Sequence, residues 1–226
     1  MTGQLPQIEA CVFDAYGTLF DVHAAAARCK DDLGDKEEAL SNLWRLKQLQ
    51  YTWLRSLMGA YEDFWTLTGD ALDFAMESVG LNDANLRKKL MELYLQLDAY
   101  PEVKETLGAL KTKGLKTAIL SNGSPEMLNA AVENAGISEV LDAQISVDSI
   151  GIYKPAPEVY GLVEREMGVK RNKVCFLSSN GWDAQGAAHF GFNVVWINRF
   201  AQKQERIPGD LKGEITTLDQ LLPLLP

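Results

Sequence analysis

The 226-residue sequence is poor in several residue types, and each shortage disfavours a class of protein. Its 22 lysines and arginines are outnumbered by 31 aspartates and glutamates, which leaves a formal net charge of −9. Nucleic acid and anionic lipid are bound through clustered basic residues, so both are disfavoured as partners. The two histidines, His23 and His189, have no cysteine, serine or second histidine at useful spacing, which argues against a zinc site or a hydrolase triad.

Cysteine and long apolar runs are scarce as well. The three cysteines form an odd set, and Cys11 and Cys175 lie in strand-like apolar runs where a thiol is typical of a buried small side chain. A reducing compartment is therefore predicted. No early segment resembles a signal peptide, and no apolar stretch approaches the roughly twenty residues of a membrane span. These observations predict a soluble, cytoplasmic protein.

What the sequence does contain is an alternation of apolar runs and helical patterns. Four runs bounded by turn residues are predicted to be buried parallel strands: 8–13, 116–120, 173–177 and 193–197. Amphipathic patterns over 102–113 and 125–134, each followed closely by a glycine, predict helices between them. This alternation is typical of an α/β protein with a doubly wound, Rossmann-like parallel sheet.

One long segment departs from that alternation. Residues 21–99 show no convincing strand and are rich in leucine, tryptophan, tyrosine, lysine and glutamate at helical spacing. Pro101 opens the return to the alternating pattern. We therefore expect a discontinuous α/β core domain, 1–20 and 100–226, with an inserted helical cap domain over 21–99.

Polar residues follow the predicted strands, and in a doubly wound sheet those carboxyl ends face the ligand. The clusters are Asp14-Ala15-Tyr16-Gly17-Thr18-Leu19, Ser121-Asn122-Gly123 and Ser178-Ser179-Asn180 with Asp183, and Lys154-Pro155 lies between the second and the third. Each cluster alone is compatible with a turn or a helix cap. Together they would gather a nucleophilic carboxylate, a lysine and several hydrogen-bond donors at one edge of the sheet.

The order of these four motifs resembles the haloacid dehalogenase superfamily. Members that hydrolyse phosphoesters usually carry a second aspartate two residues after the first, whereas this chain has Tyr16, as the dehalogenases do. The segments Trp44-Arg45 and Tyr51-Thr52-Trp53-Leu54-Arg55 are similar to the helical lobe of 2-haloacid dehalogenases. The resemblance implies hydrolysis of short (S)-2-haloalkanoic acids to (R)-2-hydroxyalkanoic acids through an ester on an aspartate.

The resemblance also implies roles for individual residues. Asp14 would be the nucleophile and Arg45 the receptor of the leaving halide, with Asn122 assisting. Asp183 would either activate water or orient the lysine. The residues that would hold Asp14 and the oxyanion are Thr18, Lys154, Ser178 and Asn180.

The substrate would be held by a second set of residues. Ser121 and the backbone amides of Ala15 and Tyr16 would bind its carboxylate, and Tyr160 would orient Lys154 or Asp183. The alkyl group would lie against Tyr16, Leu49, Phe64 and Trp182. Ala15 and Leu46 depart from the larger aliphatic residue and the glutamine expected there, so both are predicted to alter the shape and polarity of the pocket.

No cofactor is expected, and no metal, because the turn after 173–177 offers Ser178, Ser179 and Asn180 where magnesium would need acids. A small 2-haloalkanoate is the expected partner, and the aromatic faces of the cap leave a homodimer open. A phosphatase of the same superfamily, a haloacetate-specific dehalogenase and a non-catalytic scaffold are the alternatives. Burial of several unbalanced charges without a function argues against the scaffold.

Overall fold

The computed structural model describes residue 5 and residues 7–225, so residues 1–4, 6 and 226 of the predicted core lie outside the described part. Within that part, six strands form one parallel sheet in the order β3-β2-β1-β4-β5-β6. The strands are β1 Ala10–Phe13, β2 Lys116–Ser121, β3 Ala143–Ser146, β4 Val174–Ser178, β5 Asn193–Ile197 and β6 Gly213–Ile215. The predicted class, a doubly wound α/β core, is confirmed.

All four predicted strands are present, and they occupy the middle of the sheet. Their buried faces explain why the sequence marks them, since every residue of β1, β4 and β5 is buried. The prediction missed β3 and β6, which are short edge strands with exposed residues. Phe13 pairs with Ile119 on one side and with Leu177 on the other, so the residue after β1 lies at the centre of the ligand-binding edge.

Nine α-helices occur in the described residues. They are α1 Ala24–Ala27, α2 Lys30–Leu33, α3 Glu37–Met58, α4 Phe64–Ser78, α5 Ala84–Tyr94, α6 Val103–Thr112, α7 Pro125–Ala135, α8 Pro157–Met167 and α9 Gly181–Phe190. Both predicted core helices match, as α6 and α7. Among the described helices, none is long and apolar enough to cross a membrane.

Helices α1–α5 all lie in the segment 21–99, which is fully described and gives no strand to the sheet. The two crossings between this segment and the core run side by side, because Phe20 and Ala99 form an antiparallel bridge. Asp21 N also donates to Asp98 O at 3.0 Å, and Tyr100 N donates to Leu19 O at 2.9 Å. The paired crossings fix the helical segment above the carboxyl end of β1.

Helix α3 is the longest element of the segment and packs along α4. Its buried residues recur at helical spacing on one face, and its C-terminus is closed by Gly59 with a φ of 64°. Helix α4 begins at the Asp63 cap, whose side chain accepts from Thr66 N. The N-terminal half of α3 is thereby held over the end of the sheet, which is where the candidate site lies.

Candidate active site

Asp14 follows β1 directly and is held in a tight turn. Asp14 N donates to Leu177 O at 2.9 Å, which continues the sheet ladder by one residue. Gly17 then adopts a φ of 88°, and a side chain there would meet Ser179 Oγ at 3.2 Å. The turn brings Thr18 back to the strand end, where its hydroxyl donates to Asp14 Oδ2 at 3.1 Å.

The two oxygens of the Asp14 carboxylate have different partners. Lys154 Nζ contacts Oδ1 at 3.0 Å. Oδ2 accepts from Asn180 Nδ2 at 2.8 Å, from Thr18 Oγ1 and, more weakly, from Ser178 Oγ at 3.4 Å. Since only 7% of Asp14 is exposed, these donors replace water around the carboxylate.

Lys154 lies between two carboxylates. Its ammonium is 2.9 Å from Asp183 Oδ2 as well as 3.0 Å from Asp14 Oδ1, and the lysine is 1% exposed. Burial alone would lower the pKa of Lys154, but the charges of Asp14 and Asp183 outweigh it and raise the pKa above its ordinary value. Lys154 therefore remains an ammonium ion and supplies the positive charge at the centre of the site.

Asp183 is fully buried and is oriented from both sides. The Tyr160 hydroxyl donates to Asp183 Oδ1 at 2.8 Å, and Lys154 holds Oδ2. Burial raises the pKa of Asp183, the charge of Lys154 opposes that rise, and the charge of Asp14 adds to it. A carboxylate with a raised pKa is a better proton acceptor, as a general base requires.

An aromatic wall closes one side of the site. The Tyr16 ring is 5.9 Å from Phe64 and 5.8 Å from Tyr94, and it is stacked on the latter. Gly123 allows this arrangement, because a Cβ there would lie 2.6 Å from Tyr16 Cε2. Burial raises the pKa of Tyr16 well above its ordinary value, so the ring presents a neutral phenol beside Asp14.

Arg45 reaches this site from α3. Its Nη2 donates at 3.3 Å to Tyr16 O and at 3.3 Å to Asn180 Oδ1. A cavity of 420 Å³ between the helical segment and the core is lined by Arg45, Leu49, Asn180 and Trp182, among others. The guanidinium therefore lies between Asn180, which holds Asp14, and this cavity.

The residues predicted to bind the substrate carboxylate, and Asn122, which was predicted to assist at the halide, lie at neighbouring strand ends. Ser121 Oγ accepts from Gly123 N at 3.0 Å, and Asn122 Oδ1 accepts from Lys154 N at 3.0 Å. Asn122 thus positions the backbone of the lysine. The Ala15 side chain is fully buried, and its carbonyl accepts from Leu19 N at 2.9 Å within the turn.

Leu46 follows Arg45 on α3, and its side chain is 48% exposed. Successive residues of a helix point about a quarter-turn apart, so adjacency to Arg45 does not by itself place a residue in the pocket. The effect of Leu46 on the polarity of the pocket stays a prediction.

Two residues that support the site were given no individual role from the sequence, although Ser179 belongs to one of the predicted polar clusters. Ser179 donates from Oγ to Gly17 O at 2.6 Å, and its N donates to Thr18 Oγ1 at 2.8 Å, which ties the β4 turn to the β1 turn. Arg199 donates from Nη2 to Thr18 O at 2.9 Å. Arg199 comes just after β5, and this position at the carboxyl end of a predicted strand is the signal that could have identified it.

A metal would need a different set of groups. Across residue 5 and residues 7–225, no three histidine, cysteine, aspartate or glutamate side chains come together in an arrangement that could hold a metal ion. The position between Asp14 and Asp183 is filled by Lys154 Nζ.

The sequence was compared with known families. A family model described as haloacid dehalogenase-like hydrolase matches residues 8–191, which is most of the chain. This chain belongs to that family. The match spans the Asp14 turn, the helical segment, Lys154 and Asp183, and so includes each of the four motifs.

Similar proteins extend the match to nearly the full length. (S)-2-haloacid dehalogenase 1 of Pseudomonas sp. (strain CBS-3) is 50% identical over 219 residues, 96% of each chain. Haloacetate dehalogenase H-2 of Moraxella sp. (strain B) is 44% identical, over 98% of this chain and 99% of that one. The solved structure of L-2-haloacid dehalogenase from Xanthobacter autotrophicus with chloropropionic acid covalently bound is 38% identical, covers 96% of this chain and 98% of that one, and has a TM-score of 0.90.

Proposed function

We propose that this chain hydrolyses short (S)-2-haloalkanoic acids to (R)-2-hydroxyalkanoic acids and halide, through an ester on Asp14. One observation carries the proposal: Asp14 is buried with one oxygen on Lys154 and the other on three donors, beneath an aromatic wall. This arrangement fits a carboxylate that bonds to carbon. The relative from Xanthobacter autotrophicus, which carries covalently bound chloropropionic acid, supports the same chemistry.

The first step is a displacement at the α-carbon of the substrate. Asp14 Oδ1, which has fewer donors than Oδ2, attacks the carbon from the side opposite the halogen, and the carbon–halogen bond breaks with inversion. The electron pair leaves with the halide, which Arg45 receives. A guanidinium suits this role because it stays charged at every working pH and the halide is a weak base that needs no proton.

The second step is hydrolysis of the Asp14 ester. Water adds to the carbonyl carbon while Asp183 takes its proton, and the negative charge develops on Oδ2. Thr18, Ser178 and Asn180 already donate toward that oxygen, so they stabilise the oxyanion without rearranging. Collapse expels the hydroxy acid's alkoxide, which takes the proton from Asp183, and Asp14 returns to its carboxylate by releasing a proton to solvent.

The binding of the substrate follows from the same geometry. Ser121 and the amides of Ala15 and Tyr16 lie at the ends of β2 and β1, where they would hold the carboxylate. Tyr16 and Phe64 form an apolar wall for a short alkyl group, and Leu49 and Trp182 line the adjoining cavity.

A direct assay tests the proposal. With no metal added, the protein is expected to release chloride from (S)-2-chloropropionate and to leave the R enantiomer essentially unreacted, as the names of the (S)-2-haloacid dehalogenases that it resembles imply. Attack from the side opposite the chlorine then yields (R)-lactate. Halide titration and chiral chromatography of the lactate formed give both answers. Equal rates on the two enantiomers would contradict the proposed stereochemistry. Magnesium-dependent release of phosphate from phosphoesters, without release of halide, would favour the phosphatase alternative.

Comparing chloroacetate with (S)-2-chloropropionate distinguishes a haloacetate-specific dehalogenase from the proposed function. Chloroacetate lacks the methyl group that the Tyr16–Phe64 wall would contact. A haloacetate-specific dehalogenase would turn over chloroacetate at a far higher kcat/KM than (S)-2-chloropropionate, whereas the proposed function predicts the reverse order or parity.

Asp183→Asn separates the role of Asp183 as base from a role in orienting Lys154. We expect the variant to form the ester and to hydrolyse it at least about a hundredfold more slowly, since an amide cannot take the proton of water. Intact-protein mass spectrometry after mixing with (S)-2-chloropropionate would detect the accumulated ester on Asp14. A variant that forms no ester would show instead that Asp183 serves the first step by holding Lys154.

We further propose that the protein is a cytoplasmic homodimer. Leu54, Leu57 and Met58 are exposed together near the end of α3, at 52%, 86% and 74%, which favours a partner surface of the same kind. The three cysteines are buried as free thiols, which fits a reducing compartment. Light scattering at micromolar concentration measures the oligomeric state.

A further inference from the structure

A buried tyrosine outside the residues assigned from the sequence contacts the site from the helical segment. Tyr94, at the end of α5, is 2% exposed. Its ring lies 5.8 Å from the Tyr16 ring and 5.3 Å from the ring of Trp44, the neighbour of Arg45 on α3. The Tyr16 carbonyl in turn accepts from Arg45. Tyr94 therefore lies between the wall of the site and the helix that carries the guanidinium.

A chain of hydrogen bonds fixes the direction of the Tyr94 hydroxyl. The Thr68 hydroxyl donates to Phe64 O at 2.7 Å, so its oxygen accepts from Gln48 Nε2 at 3.0 Å. The Gln48 amide is thereby oriented, and its Oε1 accepts from the Tyr94 hydroxyl at 3.4 Å. The single phenolic proton is used on Gln48, and the Tyr94 oxygen offers lone pairs to any other neighbour.

Arg45 is a neighbour that matches those lone pairs, because a guanidinium only donates. Burial raises the pKa of Tyr94, while the charge of Arg45 and a hydrogen bond from Arg45 act to lower it. Tyr16 O and Asn180 Oδ1, the acceptors of Arg45 described above, are uncharged, as is the Tyr94 hydroxyl. Uncharged acceptors fix a guanidinium in place and leave its positive charge available to an anion. A carboxylate partner would neutralise that charge.

We propose that Tyr94 is a positioning residue that holds the Arg45 guanidinium where the leaving halide departs. The inference rests on the proposed function, in which Arg45 receives the halide. Chloride is a poorer leaving group than bromide and depends more on stabilisation as it leaves. Loss of the Tyr94 hydroxyl therefore slows ester formation from chloro substrates more than from bromo substrates.

The test compares Tyr94→Phe with Tyr100→Phe as the matched control. Within the described part of the chain, the buried Tyr100 hydroxyl has no hydrogen-bond partner, so its removal is expected to change nothing. The measured quantity is kcat/KM for (S)-2-chloropropionate and (S)-2-bromopropionate, which reports the steps up to ester formation. Tyr94→Phe is expected to lower kcat/KM for (S)-2-chloropropionate about tenfold, which is the effect on a rate of losing one hydrogen bond to a charged group. The kcat/KM for (S)-2-bromopropionate is expected to fall less.

The bromide-to-chloride ratio of kcat/KM decides the outcome. The proposal is overturned if the ratio in Tyr94→Phe equals that of the wild type. This holds whether the variant keeps the wild-type rates or slows both substrates by the same factor, since a purely structural defect would slow both alike. Gln48→Met removes the acceptor that directs the phenolic proton and is expected to raise the same ratio, so it replaces Tyr94→Phe if that variant does not fold. A wild-type protein that releases no halide would contradict the proposed function itself.

Discussion

Asp14→Asn is expected to reduce halide release from (S)-2-chloropropionate by about four orders of magnitude or more, the scale on which loss of a nucleophile acts. A carboxamide is a far weaker nucleophile than a carboxylate. The substitution preserves shape, and Asp183 still pairs with Lys154, so the fold is expected to persist. Halide titration with enzyme at high concentration measures the residual rate, and circular dichroism checks the fold.

Asp70→Asn is the matched control for that variant. Asp70 pairs with Arg55 on the helical segment at 3.5 Å, and its side chain is 48% exposed. Surface pairs of this kind contribute about 1 kcal/mol or less, so this variant is expected to keep full activity. Equal activity of Asp14→Asn and Asp70→Asn would remove Asp14 from the mechanism.

Isotope labelling tests the covalent step in the wild type. In heavy-oxygen water with enzyme in excess, the first hydroxy acid released is expected to carry the unlabelled oxygen of Asp14. The label then appears in the protein, because water attacks the carbonyl carbon of the ester. Label in the product of the first turnover would mean that water attacks the substrate directly.

Lys154→Met is expected to lower the free energy of unfolding by about 3–5 kcal/mol, the cost of leaving a buried charge without its partner. Asp14 and Asp183 would then face each other with no cation between them, because the Lys154 ammonium now lies 3.0 Å and 2.9 Å from them. Urea denaturation at neutral pH measures the loss. Halide release is expected to fall as well, since Lys154 holds the attacking carboxylate.

The pH dependence of Lys154→Met carries a definite sign. Without the lysine, the pKa of Asp183, already raised by burial, rises further above its unfolded value. A raised folded pKa costs stability as the pH increases through it, so the deficit is expected to be smaller at acidic pH than above neutrality. A deficit that does not change with pH would contradict this origin.

Two further variants complete the comparison. Lys154→Met combined with Asp183→Asn removes one of the two carboxylate charges and is expected to recover part of the stability. Lys111→Met breaks a partly exposed pair with Asp142 and is expected to cost about 1 kcal/mol or less. Equal losses for the three variants would show that the buried cation has no special role.

The sequence predicted the central strands and the motif residues for a clear physical reason. A strand buried on both faces of a parallel sheet must be apolar at every position, so β1, β4 and β5 are visible as continuous runs. The turn that comes after such a strand must expose polar groups at the ligand-binding edge. Asp14, Ser121 and Asn180 were found in this way, and their spacing carries the resemblance to the family.

Periodicity alone could not assign the residues that reach the site from the helical segment. A helical pattern tells which residues share a face, but not which neighbour that face meets. The pattern therefore could not decide whether Leu46 enters the pocket, and it gave no role to Gln48 or Tyr94. The edge strands β3 and β6 escaped for a related reason, since an edge strand with exposed residues lacks the apolar run that marks the others.

The amino-acid sequence by itself determined the α/β class, the helical character of residues 21–99 and the carboxylate after β1, because local hydrophobic pattern and turn chemistry encode these features. Only the tertiary structure decided that Lys154 lies between Asp14 and Asp183, and that Gln48 directs the Tyr94 hydroxyl. These contacts join residues up to 140 positions apart. Their geometry depends on how the sheet, α3 and α5 pack together, which no local pattern specifies.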